Sequence, residues 1–314
     1  MFWSIFHHRK SKGAEPQPFY ESTTIEILWT LVPMVILIAI AVPATSTLLE
    51  TYDTSESDID IQVTGYQWKW RYKYIGENID FFSVTTTPEE EIQNKQPKNP
   101  NYLLEVDQPL VLPINKKVRF LFTSNDVIHA WWVPALALKK DAIPGFINES
   151  WTKINTPGIY RGQCAELCGR NHGFMPIVIN AVTEPEYVAW LAEQKLQSER
   201  LASASQKDWS LDELMTKGEQ VYDKNCAACH QKSGLGVPPV FPALKGSAIA
   251  TGSLEDHLDI VFNGKTGTAM AGYGDQLSSV DLAAVITYER NAWGNDVGDK
   301  LKPSDVDKIK GGQK

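Results

Sequence analysis

The stretch from Ile25 to Leu49, IEILWTLVPMVILIAIAVPATSTLL, carries no charge between Leu31 and Val42. As a helix rising about 1.5 Å per residue, its roughly 25 residues cross a hydrocarbon core of about 30 Å. A buried helix of a soluble domain is the competing reading, and the unbroken apolar run argues against it. Pro33 and Pro43 would break a helix in water but are tolerated within a bilayer. His7, His8, Arg9, Lys10 and Lys12 precede the run, whereas Glu50, Asp53, Glu56, Asp58 and Asp60 follow it. Positive residues stay on the cytoplasmic side, so the C-terminal bulk is expected outside the cytoplasm. Residues 1–6 are apolar but too few for a signal peptide, and read as the end of an earlier membrane segment.

Beyond the helix the pattern changes twice. Ile59-Asp60-Ile61-Gln62-Val63-Thr64 alternates with period two, as does part of Lys117–Thr123, and Pro100-Asn101 and Pro157-Gly158 punctuate the runs. Short strands at this spacing predict a sandwich or Greek-key barrel up to about Val182. From Glu186 to about Leu201 the chain reads as helix, and the small polar run Ser198–Lys207 as linker. Residues 211–295 look helical with glycine-rich loops, and the charged end beyond Asp296 reads as mobile. The formal net charge of -8 argues against a nucleic-acid partner, which needs clustered Lys and Arg, and suits a basic protein partner.

All four cysteines lie in two tight pairs. The later pair sits in Cys226-Ala227-Ala228-Cys229-His230. In a C-x-x-C-H sequence two thiols add to the vinyl groups of haem, and the adjacent His supplies an axial nitrogen. A thioredoxin-like redox pair needs no following His, and zinc would need a second ligand pair within about 20 residues, which is missing. Met270, in Gly267-Thr268-Ala269-Met270-Ala271-Gly272, is the expected sixth ligand of the iron, with His257 as its competitor. The region from Leu214 to Asn295 resembles a class I cytochrome c domain. Gly218 and Tyr222 stand where that family's first helix has them, and Asp281–Trp293 resembles its last. Val237-Pro238-Pro239 resembles the loop whose Pro carbonyl holds the proximal imidazole; either proline could serve.

The earlier pair sits in Cys164-Ala165-Glu166-Leu167-Cys168-Gly169-Arg170-Asn171-His172-Gly173-Phe174-Met175. Thiolates, imidazole and thioether within one loop form a soft donor set that selects copper. A mononuclear blue-copper site uses one Cys; the second permits two copper ions bridged by thiolates. The set needs another His, and His129, after the strand-like run ending at Thr123, is the candidate.

This cluster resembles the binuclear copper A centre of cytochrome c oxidase subunit II. On that resemblance the ligands are His129, Cys164, Cys168, His172, Met175 and the carbonyl of Glu166. The Glu166 carboxylate would also reach a magnesium ion at the border with subunit I. Gly65-Tyr66-Gln67-Trp68-Lys69-Trp70-Arg71-Tyr72 resembles the family's aromatic segment, with Trp68 where electrons arrive; barrel packing is the plainer role for most of these rings. Asp141-Ala142-Ile143-Pro144-Gly145 matches a loop beside the copper. Thr24–Thr30 resembles the start of the family's second membrane helix, which puts Glu26 at the mouth of a proton path. A first membrane helix, usual in the family, is not complete in this sequence.

The fold expected from these resemblances is a transmembrane helix, then an all-β cupredoxin-like Greek-key barrel, then an all-α cytochrome c domain. The expected divisions are a cytoplasmic-side segment at 1–24, the membrane helix at 25–49, the copper domain at 50–183, helix and linker at 184–210, the haem domain at 211–295 and a flexible tail at 296–314. The implied function is electron input to a haem–copper oxidase in a bacterial cell membrane, with the copper and haem domains on the periplasmic side. Its implied partners are subunits I and III and a soluble cytochrome c or similar donor, with oxygen reduction and proton translocation carried by subunit I. A stand-alone membrane-tethered carrier is the alternative.

Overall fold

Strand β5, Lys117–Ser124, carries the alternation seen in the sequence into the structure: Val118, Phe120, Phe122 and Ser124 face inward, whereas Lys117, Arg119, Leu121 and Thr123 lie nearer solvent. In the computed structural model, residues 1–15, 20–77, 79–268 and 270–312 are described. They fall into two units, residues 1–57 and residues 58–314.

The first unit contains a short helix α1 (Phe2–His7) and a long helix α2 (Thr23–Tyr52). Helix α2 is long and apolar enough to cross a membrane, and none of its side chains is buried. The hydroxyls of Thr30, Thr45, Thr47 and Thr51 each donate to the carbonyl four residues back, at 2.8–3.1 Å. Those hydroxyls are therefore satisfied without water, as a bilayer requires. Part of the expected segment 1–24, residues 16–19, lies outside the described residues.

The second unit begins with ten strands: β1 (Ile59–Tyr66), β2 (Lys69–Tyr74), β3 (Ile79–Ser83), β4 (Leu110–Pro113), β5, β6 (His129–Val133), β7 (Leu138–Ala142), β8 (Asn148–Lys153), β9 (Gly158–Cys164) and β10 (Pro176–Val182). A one-turn helix α3 (Glu89–Ile92) lies between β3 and β4. The strands form two five-stranded sheets, ordered β3-β2-β1-β5-β8 and β4-β10-β9-β6-β7. β1 pairs in parallel with β5, and β4 in parallel with β10. Ile61, Val63, Trp70, Tyr72, Phe120, Phe122, Trp131 and Ile179 form the core. Tyr74 ties the two sheets together: its hydroxyl donates to the Val111 carbonyl at 2.8 Å and accepts from the Val111 N–H at 3.1 Å.

Helix α4 (Glu184–Gln206) leaves the barrel with a capped start, the Glu186 carboxylate accepting from the N–H and hydroxyl of Thr183. Its first turns dock on the barrel through Trp190, whose ring lies 5.1 Å from that of Tyr74. The expected linker at Ser198–Lys207 is instead helical as far as Gln206. Alanines 202 and 204 favour helix there, and the indole of Trp209 donates to the Ala204 carbonyl at 2.8 Å, closing the C-terminus.

The helical part comprises α5 (Leu211–Asn225), α6 (Ala227–His230), α7 (Leu254–Asn263), α8 (Ser279–Asn291) and α9 (Pro303–Gly312). Ser210 caps α5 in a reciprocal box with Glu213. Helices α5 and α8 cross at Gly218, where a Cβ would stand 2.2 Å from the Ala284 carbonyl oxygen. The end expected to be a flexible tail is ordered over 303–312 as α9. Leu301 and Val306 join the helical core, and Asp299 pairs with Arg290 at 2.7 Å. Burial of these two apolar residues outweighs the charged composition that suggested mobility; residues 313 and 314 lie outside the described set.

Gly218→Ala is expected to destabilise the helical part by about 1–3 kcal/mol, because the crossing leaves no room for a methyl group. Denaturant unfolding followed by helical circular dichroism checks this.

Candidate metal centres

The first centre is assembled by strand pairing. β9 is antiparallel to β10 with Gln163 opposite Pro176, which closes the loop from Cys164 to Met175 at both ends. β6 pairs with β9 so that Trp131 lies opposite Cys164, bringing His129, at the start of β6, to the same end of the barrel. The Cys164 and Cys168 sulfurs are 3.9 Å apart, and both cysteines are free and buried. His129 Nδ1 lies 3.9 Å from the Cys164 sulfur, and His172 Nδ1 lies 3.4 Å from that of Cys168. The Met175 sulfur is 3.5 Å from Cys168, and the Glu166 carbonyl is 3.4 Å from Cys164. All six groups named from the sequence thus converge. Two thiols, two imidazoles, a thioether and a carbonyl form a soft set that fits copper.

Several residues that the sequence did not single out hold this arrangement. Asp126 accepts from His129 Nε2 at 2.9 Å, which turns Nδ1 toward the sulfurs. The same carboxylate accepts from the Gln67 and Val127 N–H groups, both at 2.6 Å. Burial works against the charged form of His129, but the Asp126 carboxylate and the Cys164 thiol outweigh it and raise its pKa to about 9. Burial and the neighbouring Cys164 push the Cys168 thiol up to about 12. Gly65 leaves the space for the imidazole: a Cβ there would stand 2.6 Å from His129 Cδ2. The Trp70 indole donates to the Met175 carbonyl at 3.2 Å, and its ring meets His129 edge-on. Asp126 is a short polar residue three before the His, which is the one signal that could have found it.

Trp68 is half-buried, and its indole donates to the Cys168 carbonyl at 3.2 Å, beside the Gln67 amide at 2.8 Å. The Glu166 side chain is exposed and lies outside the metal-capable cluster of His129, Cys164 and Cys168. Glu26 is exposed in the first turn of α2, in the other unit.

The second centre lies where α5 ends. Cys226 and Cys229 are free and half-buried, and His230 is buried. His230 Nδ1 donates to the Pro242 carbonyl at 2.9 Å, which leaves Nε2 to act as a ligand. The carbonyl is that of Pro242, not of Pro238 or Pro239, because the intervening turn, closed by Val237 and Phe241, carries the chain back over the imidazole. Met270 lies in a tight loop: its carbonyl accepts from the Lys265 N–H at 2.9 Å, and its N–H donates to the Thr268 hydroxyl at 3.1 Å. At Gly264, with φ +74°, a Cβ would stand 2.6 Å from that carbonyl oxygen, which leaves no room for a side chain. Its neighbour Ala269 lies outside the described residues. The competing ligand His257 is buried, with Nε2 held 2.8 Å from the Glu289 carboxylate. Paired thiols beside a fixed imidazole fit a haem attached through its vinyl groups.

Comparisons with known proteins place the chain among cytochrome c oxidase subunits. Residues 1–46 match the model of the cytochrome c oxidase subunit II transmembrane domain, and residues 59–182 that of the subunit II periplasmic domain. Residues 213–288 match the model of cytochrome c oxidase, cbb3-type, subunit III. A probable cytochrome c oxidase subunit 2 of Rickettsia felis is 46% identical over 180 residues, 57% of this chain and 56% of that protein. Cytochrome c oxidase subunit 2 of Cyanidium caldarium is 40% identical over 201 residues, 62% of this chain and 77% of its own length. The chain spans little more than half the length of the first of these. A crystal structure of the periplasmic domain of cytochrome oxidase subunit II from Bradyrhizobium japonicum is 41% identical, covering 46% of this chain and 98% of that one at a TM-score of 0.40.

Two substitutions test the first centre. Gly65→Ala is expected to displace the His129 ring and abolish the copper absorption while the barrel still folds. Asp126→Asn is expected to weaken copper binding by about 10- to 100-fold in metal titrations. In metal-free protein the His129 pairing contributes stability fully below pH 6.5 and loses it as pH rises through about 9, so Asp126→Asn should flatten that part of the stability profile.

Proposed function

From the premise that this chain belongs to the cytochrome c oxidase subunit II family, we propose that it is the electron-input subunit of a haem–copper terminal oxidase. In this reading, electrons from a soluble cytochrome c or similar donor pass by way of a covalent haem c and a binuclear copper A centre to haem in subunit I, where oxygen reduction is coupled to proton translocation. The observation that carries it is the convergence of His129, Cys164, Cys168, His172 and Met175 at one end of a barrel, in a chain that also bears a C-x-x-C-H site.

When bound, haem and copper supply one-electron chemistry; the chain supplies their surroundings. Cys226 and Cys229 would anchor the haem, and His230 and Met270 would hold its iron. Pro242 fixes one imidazole and Asp126 another, so neither ring need turn when charge arrives. Burial of Cys164, Cys168 and Met175 keeps water from these three sulfur ligands. Trp68, in hydrogen-bond contact with the Cys168 carbonyl, suits the role of an electron gateway. Helix α2, with Glu26 near its start, would anchor the chain in a bacterial cell membrane beside subunits I and III, with the metal domains on the periplasmic side. In that setting Glu26 would stand at a proton path, and the exposed Glu166 carboxylate would be free to meet a magnesium ion at the border with subunit I.

Purification of the intact chain from membranes tests the whole reading. A many-helix partner carrying haem is expected to accompany it, with copper and haem in a two-to-one ratio on this chain. Cys168→Ser should remove the copper signal and leave the haem spectrum intact. A monomeric chain that is fully active as a carrier, without such a partner, would overturn the proposal.

A further inference from the structure

The barrel and the helical part face each other across open space. A cleft of about 670 Å³ separates them, lined by Lys69, Arg71 and Asp107 from one side and Lys224, Asn225 and Asp275 from the other. A second space of about 220 Å³ lies between Tyr66 and Gly272. Among the contacts that span the gap are two made by lysines. Lys224 approaches Asp107 at 3.9 Å, an exposed pair of the kind that contributes little. The Lys69 ammonium lies 4.9 Å from the centre of the Phe82 ring and 5.9 Å from that of Tyr273, between the two halves.

The residues on either side of this second contact lead to the two metal centres. On the barrel side Lys69 follows Trp68, whose indole donates to the carbonyl of Cys168, a proposed copper ligand. On the helical side the Tyr273 hydroxyl donates at 3.1 Å to the carbonyl of Asn225, the residue before Cys226. Tyr273 is itself held to α7, its N–H donating to the Val261 carbonyl at 2.8 Å. From Cys226 to Cys168 every link is thus a covalent bond or a hydrogen bond, except the approach of Lys69 to the Tyr273 ring.

We propose that electrons cross between the two halves of this chain at the Lys69–Tyr273 contact, and that Lys69 is a positioning residue holding the Met270-bearing loop against the turn that carries Trp68. The inference rests on the function proposed above. One electron leaves ferrous haem, which becomes ferric, and the oxidised copper pair is reduced by one electron; no bond or proton is exchanged. The attraction between a partly desolvated ammonium and a ring face supplies the hold. Burial, with Lys224 close by, lowers the pKa of Lys69 to about 8, so it still carries its charge at neutral pH.

The test uses the full chain with both metals bound. Haem is photoreduced, and its reoxidation is followed together with reduction of the copper. Lys69→Met is expected to slow the transfer roughly fivefold or more, the population change that loss of a partly desolvated cation–π contact produces. Both absorption spectra should stay unchanged, and amide exchange at residues 270–276 should rise. Tyr273→Phe, which keeps the ring and loses the bond to Asn225, should slow transfer with the loop still protected. Lys153→Met, on exposed β8, should match the unsubstituted chain. A Lys69→Met chain that transfers at the unsubstituted rate overturns the assignment, whatever its exchange. Failure of the unsubstituted chain to pass any electron from haem to copper would instead sink the function on which the inference rests.

Discussion

The pairing of β9 with both β6 and β10 is the constraint on which the copper-type centre depends. It places Cys164 opposite Trp131 on one side and the Cys164–Met175 loop against its own return strand on the other. His129 is 35 residues before Cys164, and no local rule joins them. Once the ladder forms, the imidazole and the sulfurs must share the end of the barrel. The core beneath them is packed with large rings, Trp70, Trp131 and Phe122 among them, so the ends of these strands have little freedom. A ligand set held in this way meets the need of electron transfer, in which the donors should not move as the charge changes.

The two centres reach the same end by different means. In the barrel, long-range pairing sets the ligands, and Asp126 and Gly65 set the angle of one imidazole. In the helical part most of the arrangement is local: α6 carries both Cys229 and His230, and the glycines about Met270 bind its loop to the end of α7. The α5–α8 crossing at Gly218, the Pro242 carbonyl and the Tyr273 bond to Asn225 come from farther along the chain. Helix α4 and the packed end of the chain then join these parts without the slack that a polar linker would bring, α9 lying against both α8 and α4.

The motifs C-x-x-C-H and C-x3-C-x3-H-x2-M point to their donor sets from the sequence because donor type and spacing depend on few residues close together, and the apolar run of α2 points to the membrane helix because a bilayer demands length and apolarity alone. The alternation in β1 and β5 likewise followed from period two. Composition misled at 198–207 and 296–314, where polar residues suggested slack and burial of Leu301 and Val306 made order. Only the tertiary structure decided that Asp126 orients His129, that Pro242 holds His230, that Gly65 leaves room for an imidazole and that Lys69 meets Tyr273. Each of these joins groups through space or through a clearance, and neither periodicity nor motif spacing records which side chains a fold brings into contact.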